Sequence, residues 1–381
     1  MTQQSGRIWV MGGRPLNGTA AIPAAKNSVL PLLAAALLCR GPVRLRAVPR
    51  LSDVECSLGL LRGAGCAAHW QGADIVVAGM PSNSTLPGET AAQMRASILF
   101  CAPLLARLGR AETSLPGGCN IGARPIDLHL EGLARMGAKE LDAGAGKLVL
   151  AAPGGLHGTD FTLRFPSVGA TETLLLAAAC ARGTTVLRGA AREPEIVDLA
   201  GFLRSAGAEI SGAGGGHITV CGGAPLHGTT YTVLPDRIET ATYLCAAAAC
   251  GGVVTLRQAS AETCRPLIAL LRESGCTIEE RHDVLRISCA GRLKALERVT
   301  TGPYPGFPTD AQAPLMAALL RAEGRTEFVE TIFENRLRHA EQLRKMGADI
   351  RVDGRKAVVT GVERLNGAEL LAEDLRGGAA L

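Results

Sequence analysis

Apolar and polar positions along this chain switch between a period of two and a helical period, and the switch recurs five times. Each time a glycine opens a short β-rich run, a turn follows, and apolar residues then recur at helical spacing up to a glycine beside a small residue. The segments are GPVRLRAVPRLSDVECSLGLLRGAGC from Gly41, GRAETSLPGGCNIGARPIDLHLEGLARMGA from Gly109 and GTTVLRGAAREPEIVDLAGFLRSAGAEI from Gly183. The last two are GGVVTLRQASAETCRPLIALLRESGCTI from Gly251 and GRTEFVETIFENRLRHAEQLRKMGADI from Gly324. Their starts lie 68, 74, 68 and 73 residues apart. Leu58 and Leu61 in the first segment, and Leu199 and Leu203 in the third, carry the helical spacing. Short alternating strands such as AEISG and HITVCG follow, and an Ala/Leu-rich helix precedes each segment, beginning near Lys26, Arg95, Ser167, Arg237 and Asp310. Those preceding helices are apolar all round, which predicts that they are buried.

A unit of about 70 residues is long for a stacked solenoid. The pattern instead predicts an α/β fold of two pseudo-symmetric domains, each of three β-α-β-α-β-β units with helices inside and sheets outside. The first spans 26–234; the second joins 1–25 to 235–381. A sixth inner helix begins at Asp374 in DLRGGAAL, and the chain ends at Leu381. The repeat count therefore predicts an incomplete sixth unit and a chain cut short.

Composition narrows the function classes. Hydrophobic residues make up 47% and charged residues 20%, a globular balance. Aromatic residues are only 3%, so Ala, Leu and Gly do the packing. The net charge of +5, from 40 basic and 35 acidic residues, is dispersed; nucleic acid would want a clustered basic face, whereas small anions would not. Twelve cysteines are scattered with no C-x-x-C pair, which leaves no support for zinc or dithiol chemistry. Cys180, Cys245 and Cys250 read as small core residues in Ala/Leu runs. The N-terminus has no signal-peptide layout, and the longest apolar stretch, Val29 to Cys39, is far short of the ~20 residues of a membrane span. A cytoplasmic protein is expected.

Candidate chemistry stands where polar groups interrupt apolar surroundings. Lys26 and Asn27 lie at the mouth of a very apolar helix, where a cation suits a phosphate or carboxylate, unless the lysine only snorkels to solvent. Arg95, in QMRASILF, holds the matched place in the second unit. Arg124, in IGARPIDLHL, can grip an oxyanion in a bidentate fork. Cys119 lies in the Gly/Pro loop SLPGGCNIGARP close to Arg124, whose charge would raise its thiolate fraction and suit a general acid or a nucleophile; an idle loop thiol is the alternative. Asp310, in PYPGFPTDAQAP, opens a helix either as a plain N-cap or as a general base. Asp374, in EDLR beside Arg376, is a similar candidate. The GAGGG run at 212–216 lacks the strand–GxGxxG–helix context of a dinucleotide site.

At these residues the chain resembles the UDP-N-acetylglucosamine 1-carboxyvinyltransferases, a branch of the enolpyruvyl transferases. The runs that carry the resemblance are AAKNSVLP, MRAS, LPGGCNIGARPIDLHLEGL, FPSVGAT, AREPEIVDLA, LPDRIETATYL, FPTDAQA, FENRLRHAEQL and EDLR, in family order from residue 20 to 376. The resemblance implies the inside-out α/β barrel of the enolpyruvyl transferase fold. It also implies transfer of the enolpyruvyl group of phosphoenolpyruvate to the 3′-hydroxyl of UDP-N-acetylglucosamine, with release of phosphate, at the first committed step of peptidoglycan precursor synthesis. No metal or organic cofactor is implied. By the same resemblance Lys26 and Asn27 contact phosphoenolpyruvate and acceptor, Arg95 binds substrate, and Cys119 is the proton donor that fosfomycin alkylates. Arg124, Pro125, Ile126, Asp127 and Leu128 lie on the uridine side, and Phe165, Pro166, Ser167 and Val168 form a nucleotide-contacting turn. Asp310 sits near the sugar hydroxyl, Ile332 and Phe333 contact the sugar, Arg336 binds substrate, and Asp374 is a further active-site acid. The family's C-terminal segment, with another phosphoenolpyruvate-binding arginine, has no match here. Two other readings stand beside this one: transfer to shikimate 3-phosphate, or a non-catalytic homologue that binds a UDP-sugar.

Overall fold

Each predicted segment folds as the pattern requires. The computed structural model describes residues 6–117, 121–142, 144 and 146–381. In the third unit the order is strand Asp160–Thr162, helix Val168–Cys180, strand Gly183–Arg188, helix Pro194–Ser205, then strands Glu209–Ser211 and His217–Gly222. The first two strands pair in parallel, and the last two add as an antiparallel hairpin. Three further four-stranded sheets repeat this order, and the second unit has a three-stranded version. The five glycines that close the outer helices, Gly65, Gly137, Gly207, Gly275 and Gly347, all have φ between +90° and +106°. That backbone is open to glycine at little cost and turns the chain back into its strand.

The inner helices lie where their uniform hydrophobicity predicts. Val168–Cys180 is buried from Ala170 to Ala179, and Lys26–Ala36 from Ser28 to Ala36. Together with the 3-10 turn Arg95–Phe100 and helix Cys101–Leu108, they form the centre of one core. Helices Arg237–Cys250, Thr309–Ala318 and Leu375–Ala380 pack together in a second core, which is separate from the first. Among the described residues the five sheets stay open and lie outside the helices; none closes into a barrel. No described helix is long and apolar enough to cross a membrane.

One expectation fails. Cys245 is buried, but Cys180 is only partly covered and Cys250 is exposed. Cys250 is the last residue of its helix, before the turn at Gly251, so the apolar run continues past the point where the helix still faces the core.

The chain passes between the cores twice, side by side. Ala25 N–H donates to Leu234 O (2.8 Å), and Asp236 N–H donates to Pro23 O (2.9 Å). Strand Leu16–Ala21 consequently pairs in parallel with Gly252–Arg257 of the second core, while Thr230–Thr232 pairs with Val43–Arg46 of the first. Each core thus takes one edge strand from the stretch of chain that is about to cross to the other core.

Candidate active site

Charged groups collect along the junction of the two cores, and the inner-helix starts deliver most of them. Helix Thr309–Ala318 begins at Pro308 with no side-chain cap, so Asp310 is released from capping. Its Oδ1 accepts instead from Arg336 Nη2 (3.0 Å) and Arg376 Nε (2.9 Å). Burial alone would raise this carboxyl, but Arg376 and Arg336 outweigh it and hold Asp310 well below the usual carboxylate range. Asp310 is therefore an anion at neutral pH, clamped by two guanidinium groups.

Asp374 has the capping role that Asp310 lacks. Its Oδ1 accepts from the backbone N–H of Arg376 (2.9 Å) and Gly377 (3.0 Å) at the start of helix Leu375–Ala380. This cap fixes the turn that presents Arg376 to Asp310. Asp374 Oδ1 also lies 4.0 Å from Arg336 Nη1.

Arg336 leads onward to the sugar-side candidates. Its side chain is 4% exposed, and its guanidinium lies 5.9 Å from the Phe333 ring centre. Arg124 lies over the same ring at 5.8 Å. The Ile332–Phe333 turn is held by Glu330, a residue the sequence did not single out. Glu330 Oε1 accepts from Ile332 N–H (2.8 Å), Phe333 N–H (3.1 Å) and Thr301 Oγ1 (3.0 Å); Oε2 accepts from Thr309 Oγ1 (2.9 Å).

The loop after strand Arg110–Ser114 meets this turn from the first core. Asn335 N–H donates to Ile121 O (3.1 Å). At Gly122, φ is +151°, a backbone conformation that favours glycine, and the Glu334 carboxylate lies close beside it. Arg95 donates to Arg124 O. Burial, and then the charge of Arg124, lower Arg95 from the usual guanidinium value. Cys119, in the same loop, lies outside the described residues.

Lys26 reaches the junction from the other end. Its backbone N–H donates to Asp236 Oδ2 (3.2 Å), and its Nζ pairs with Asp53 (3.0 Å), so this cation neither snorkels freely nor stands alone. Asn27 is half-buried beside it. Asp236 caps the next helix through Ile238 N–H (2.7 Å) and Glu239 N–H (3.0 Å). Arg237 follows, buried, and its Nε donates to both oxygens of Glu195 (2.9 and 3.2 Å). Burial would depress Arg237, but Glu195, followed by Asp310, drives its affinity for the proton above the ordinary guanidinium value. A small cavity lined by Arg237, Cys264, Pro308 and Asp310 opens here. Beneath it lie more acids: burial first, then Glu195 and Glu193, push Glu172 well above the usual range.

The remaining candidates form a separate group on the first core. Asp127 Oδ1 accepts from Leu128 N–H (2.9 Å), and Asp127 pairs with Arg164. Ile126 stands just before helix Asp127–Arg135, with Pro125 ahead of it. Ser167 caps helix Val168–Cys180 by accepting from Ala170 N–H (3.3 Å), and Phe165 and Pro166 lead into it, with Phe165 exposed. Glu131, also bound to Arg164, ties the two groups of residues together.

A continuous run of neighbouring groups thus leads from Lys26 through Asp236 and the adjoining Arg237 to Asp310, Arg336, Phe333, Arg124 and Arg95. Glu193, Glu195 and Arg237 were missed as site residues, although they stand inside the quoted runs AREPEIVDLA and LPDRIETATYL. The available signal was a charged residue at or just before the start of a helix, as at Glu193 and Glu195 for helix Pro194–Ser205 and at Arg237 for helix Arg237–Cys250.

The comparisons agree on the class. The sequence profile of EPSP synthase (3-phosphoshikimate 1-carboxyvinyltransferase) matches residues 10–381. The enolpyruvyl transferase NikO from Streptomyces tendae superposes with a TM-score of 0.85 at 25% identity, over 97% of this chain and 88% of that one. An EPSP synthase from Acinetobacter baumannii shares the fold, at a TM-score of 0.73 and 20% identity, over 97% and 89% of the two chains. The fold is thus that of the enolpyruvyl transferases. Among curated relatives, UDP-N-acetylglucosamine 1-carboxyvinyltransferase 2 of Caldanaerobacter subterraneus subsp. tengcongensis is 46% identical over 99% of this chain and 90% of its own length. The UDP-N-acetylglucosamine 1-carboxyvinyltransferase of a Nostoc species is 49% identical over 98% and 84%. The chain belongs to the UDP-N-acetylglucosamine 1-carboxyvinyltransferase family.

Proposed function

We propose that the chain transfers the enolpyruvyl group of phosphoenolpyruvate to the 3′-hydroxyl of UDP-N-acetylglucosamine and releases phosphate. The observation that carries this reading is Asp310, an ionised carboxylate held between Arg336 and Arg376 at the junction of the two cores. Family membership supplies the substrates, and the geometry is consistent with them. Cations at the junction neutralise the carboxylate and phosphate of phosphoenolpyruvate. Cys119 gives a proton to C3 of the enol, and the sugar oxygen bonds to C2 while its proton passes to Asp310. Phosphate then leaves C2 and a proton leaves C3, restoring the enol ether.

Asp310 is a weak base while both guanidinium groups hold it. Anionic substrate competes for Arg336 and Arg376, loosens that clamp and raises the basicity of the carboxylate when the sugar hydroxyl is present. Asp374 serves here as the cap that sets Arg376. The residues 125–128 and 165–168 form the uridine side, carried by two adjoining helix starts. We further propose the domain division 26–234 and 1–25 with 235–381, supported by the two separate cores. The step would open peptidoglycan precursor synthesis in the cytoplasm, with fosfomycin as an inhibitor through Cys119.

The test is phosphate release from phosphoenolpyruvate with each of two acceptors. Release that requires UDP-N-acetylglucosamine supports the reading. Release with shikimate 3-phosphate alone replaces it by the sister activity, and binding of the UDP-sugar without phosphate release replaces it by a non-catalytic role.

A further inference from the structure

Cys276 and Cys289 are two buried thiols of the second core that the proposed chemistry does not use. Cys289 ends strand Val284–Cys289, and Cys276 directly precedes strand Thr277–Arg281. The antiparallel ladder pairs Thr277 with Ser288 and Ile278 with Ile287. One step further along the ladder, Cys276 stands opposite Cys289, on the same buried face as Ile278 and Ile287. Their Sγ atoms are 2.6 Å apart.

Opposed residues of an antiparallel pair have Cα atoms about 4.5–5.5 Å apart, within the roughly 4.4–6.8 Å that a disulfide spans. No backbone movement is needed to join them. Cys276 is also held in place, since its N–H donates to Leu271 O (2.9 Å). The contact between the sulfurs lowers the Cys289 thiol and raises that of Cys276, so Cys289 is the first of the two to ionise. Access comes from the sheet order: Thr277–Arg281 is the outer strand, and edge strands are among the first elements to open locally.

We propose that Cys276 and Cys289 are a dithiol modification site, converted to an intramolecular disulfide by exchange with a low-molecular-weight disulfide of the glutathione type. The Cys289 thiolate attacks one sulfur of the small disulfide, forms a mixed disulfide and expels one small thiolate. The Cys276 sulfur, losing its proton, then attacks Cys289 and expels the second. Two protein thiols lose two electrons and two protons, and the small disulfide gains both as two thiols.

The experiment incubates the native chain with glutathione disulfide, blocks remaining thiols and digests it with trypsin without reductant. Cleavage at Arg272, Arg281, Arg286 and Arg292 separates ESGCTIEER from ISCAGR, so the disulfide appears as these two peptides linked and two hydrogens lighter. The expected result is that this linked pair dominates the intramolecular disulfides and disappears with dithiothreitol. The oxidised chain should also melt several degrees higher, by about 5 °C or more, and Cys276→Ala should lose that rise. Recovery of the two peptides unlinked, or each carrying its own glutathione, while other cysteines link would overturn the proposal. That readout needs no variant, so a poorly folding Cys276→Ala chain would not leave the question open.

Discussion

The salt bridge between Glu195 and Arg237 should be the strongest single link between the two cores. Glu195 stands in helix Pro194–Ser205 of the first core and Arg237 begins helix Arg237–Cys250 of the second. Their side chains are 3% and 8% exposed, and the pair is 2.9 Å apart. At an effective dielectric near 20, two such charges attract by about 4 kcal/mol. Desolvation cancels much of that gain, so the intact pair adds little net stability. Breaking it is another matter, because the remaining charge stays buried without its partner. Glu195→Gln should cost about 3 kcal/mol, at the lower end of the usual 3–5 for one-sided removal. The amide still accepts one hydrogen bond from Nε, and Asp310 still faces the guanidinium. Arg237→Met should cost about as much, since it leaves Glu195 beside the crowded Glu172 and Glu193.

The double variant Glu195→Gln/Arg237→Met tests the argument. With both charges gone, no buried charge is stranded, and the double variant should lose less than the two singles together by about 2 kcal/mol or more. Urea unfolding followed by circular dichroism gives the three free energies. Calorimetry should add a broadened or split transition for the singles, because the cores lose their principal tie. Strictly additive losses, or singles that each cost under about 1 kcal/mol, would refute a buried, charge-paired junction.

Further outcomes follow from the same geometry. Asp310→Asn should lower turnover by about 10²-fold or more while leaving helix Thr309–Ala318 formed, since Asp310 caps nothing; steady-state rates with far-ultraviolet dichroism check both halves. Asp374→Ala should cost about 1 kcal/mol and weaken phosphoenolpyruvate binding by misplacing Arg376, whereas Asp374→Ser keeps the cap and should recover most of the stability. Glu330→Gln should cost roughly 1–3 kcal/mol, because an amide nitrogen must face groups that now donate to the carboxylate, and it should raise KM for the UDP-sugar. His129 is buried and its pKa is pushed down to about 4, chiefly by burial and then by Arg95. The unfolded chain therefore binds more protons between pH 6.5 and 4, and stability falls as pH drops through that window, by about 3 kcal/mol from this group. His129→Asn, whose Nδ2 can replace the Nδ1 contact to Thr173, should flatten that loss in urea midpoints measured from pH 7 to pH 4.5.

The repeat, the inner helices and their starts were legible because each rests on local rules. Five glycines with left-handed φ stand where the segments end in Gly, and Asp374 begins the sixth inner helix as the pattern requires. The site was legible as a set of residue types but not as a set of partners. Whether Asp310 caps its helix or carries a charge cluster depends on Arg336 and Arg376, which lie 26 and 66 positions away. Lys26 was read as either snorkelling or waiting for an anion; Asp53, on the next helix, already holds it. Cys250 was misassigned because hydrophobicity does not show where a helix leaves its core.

The part that resisted reading is also the part that gives the junction its identity. The inner helices are rows of Ala and Leu with nearly interchangeable surfaces, so apolar packing alone distinguishes poorly between one pairing of units and another. Charged residues at their starts are not interchangeable. Arg237 finds a buried partner only if the helix beginning at Pro194 lies against it, and Asp310 finds its two guanidiniums only if the turn at Phe333 and the cap at Asp374 are both in register. A buried ion pair contributes little net stability but penalises every arrangement that strands one of its charges. The same residues can therefore align the cores and supply the fixed charges that an anionic substrate meets between them. On this argument the junction charges are concentrated at helix starts because those are the points where six similar units must be told apart.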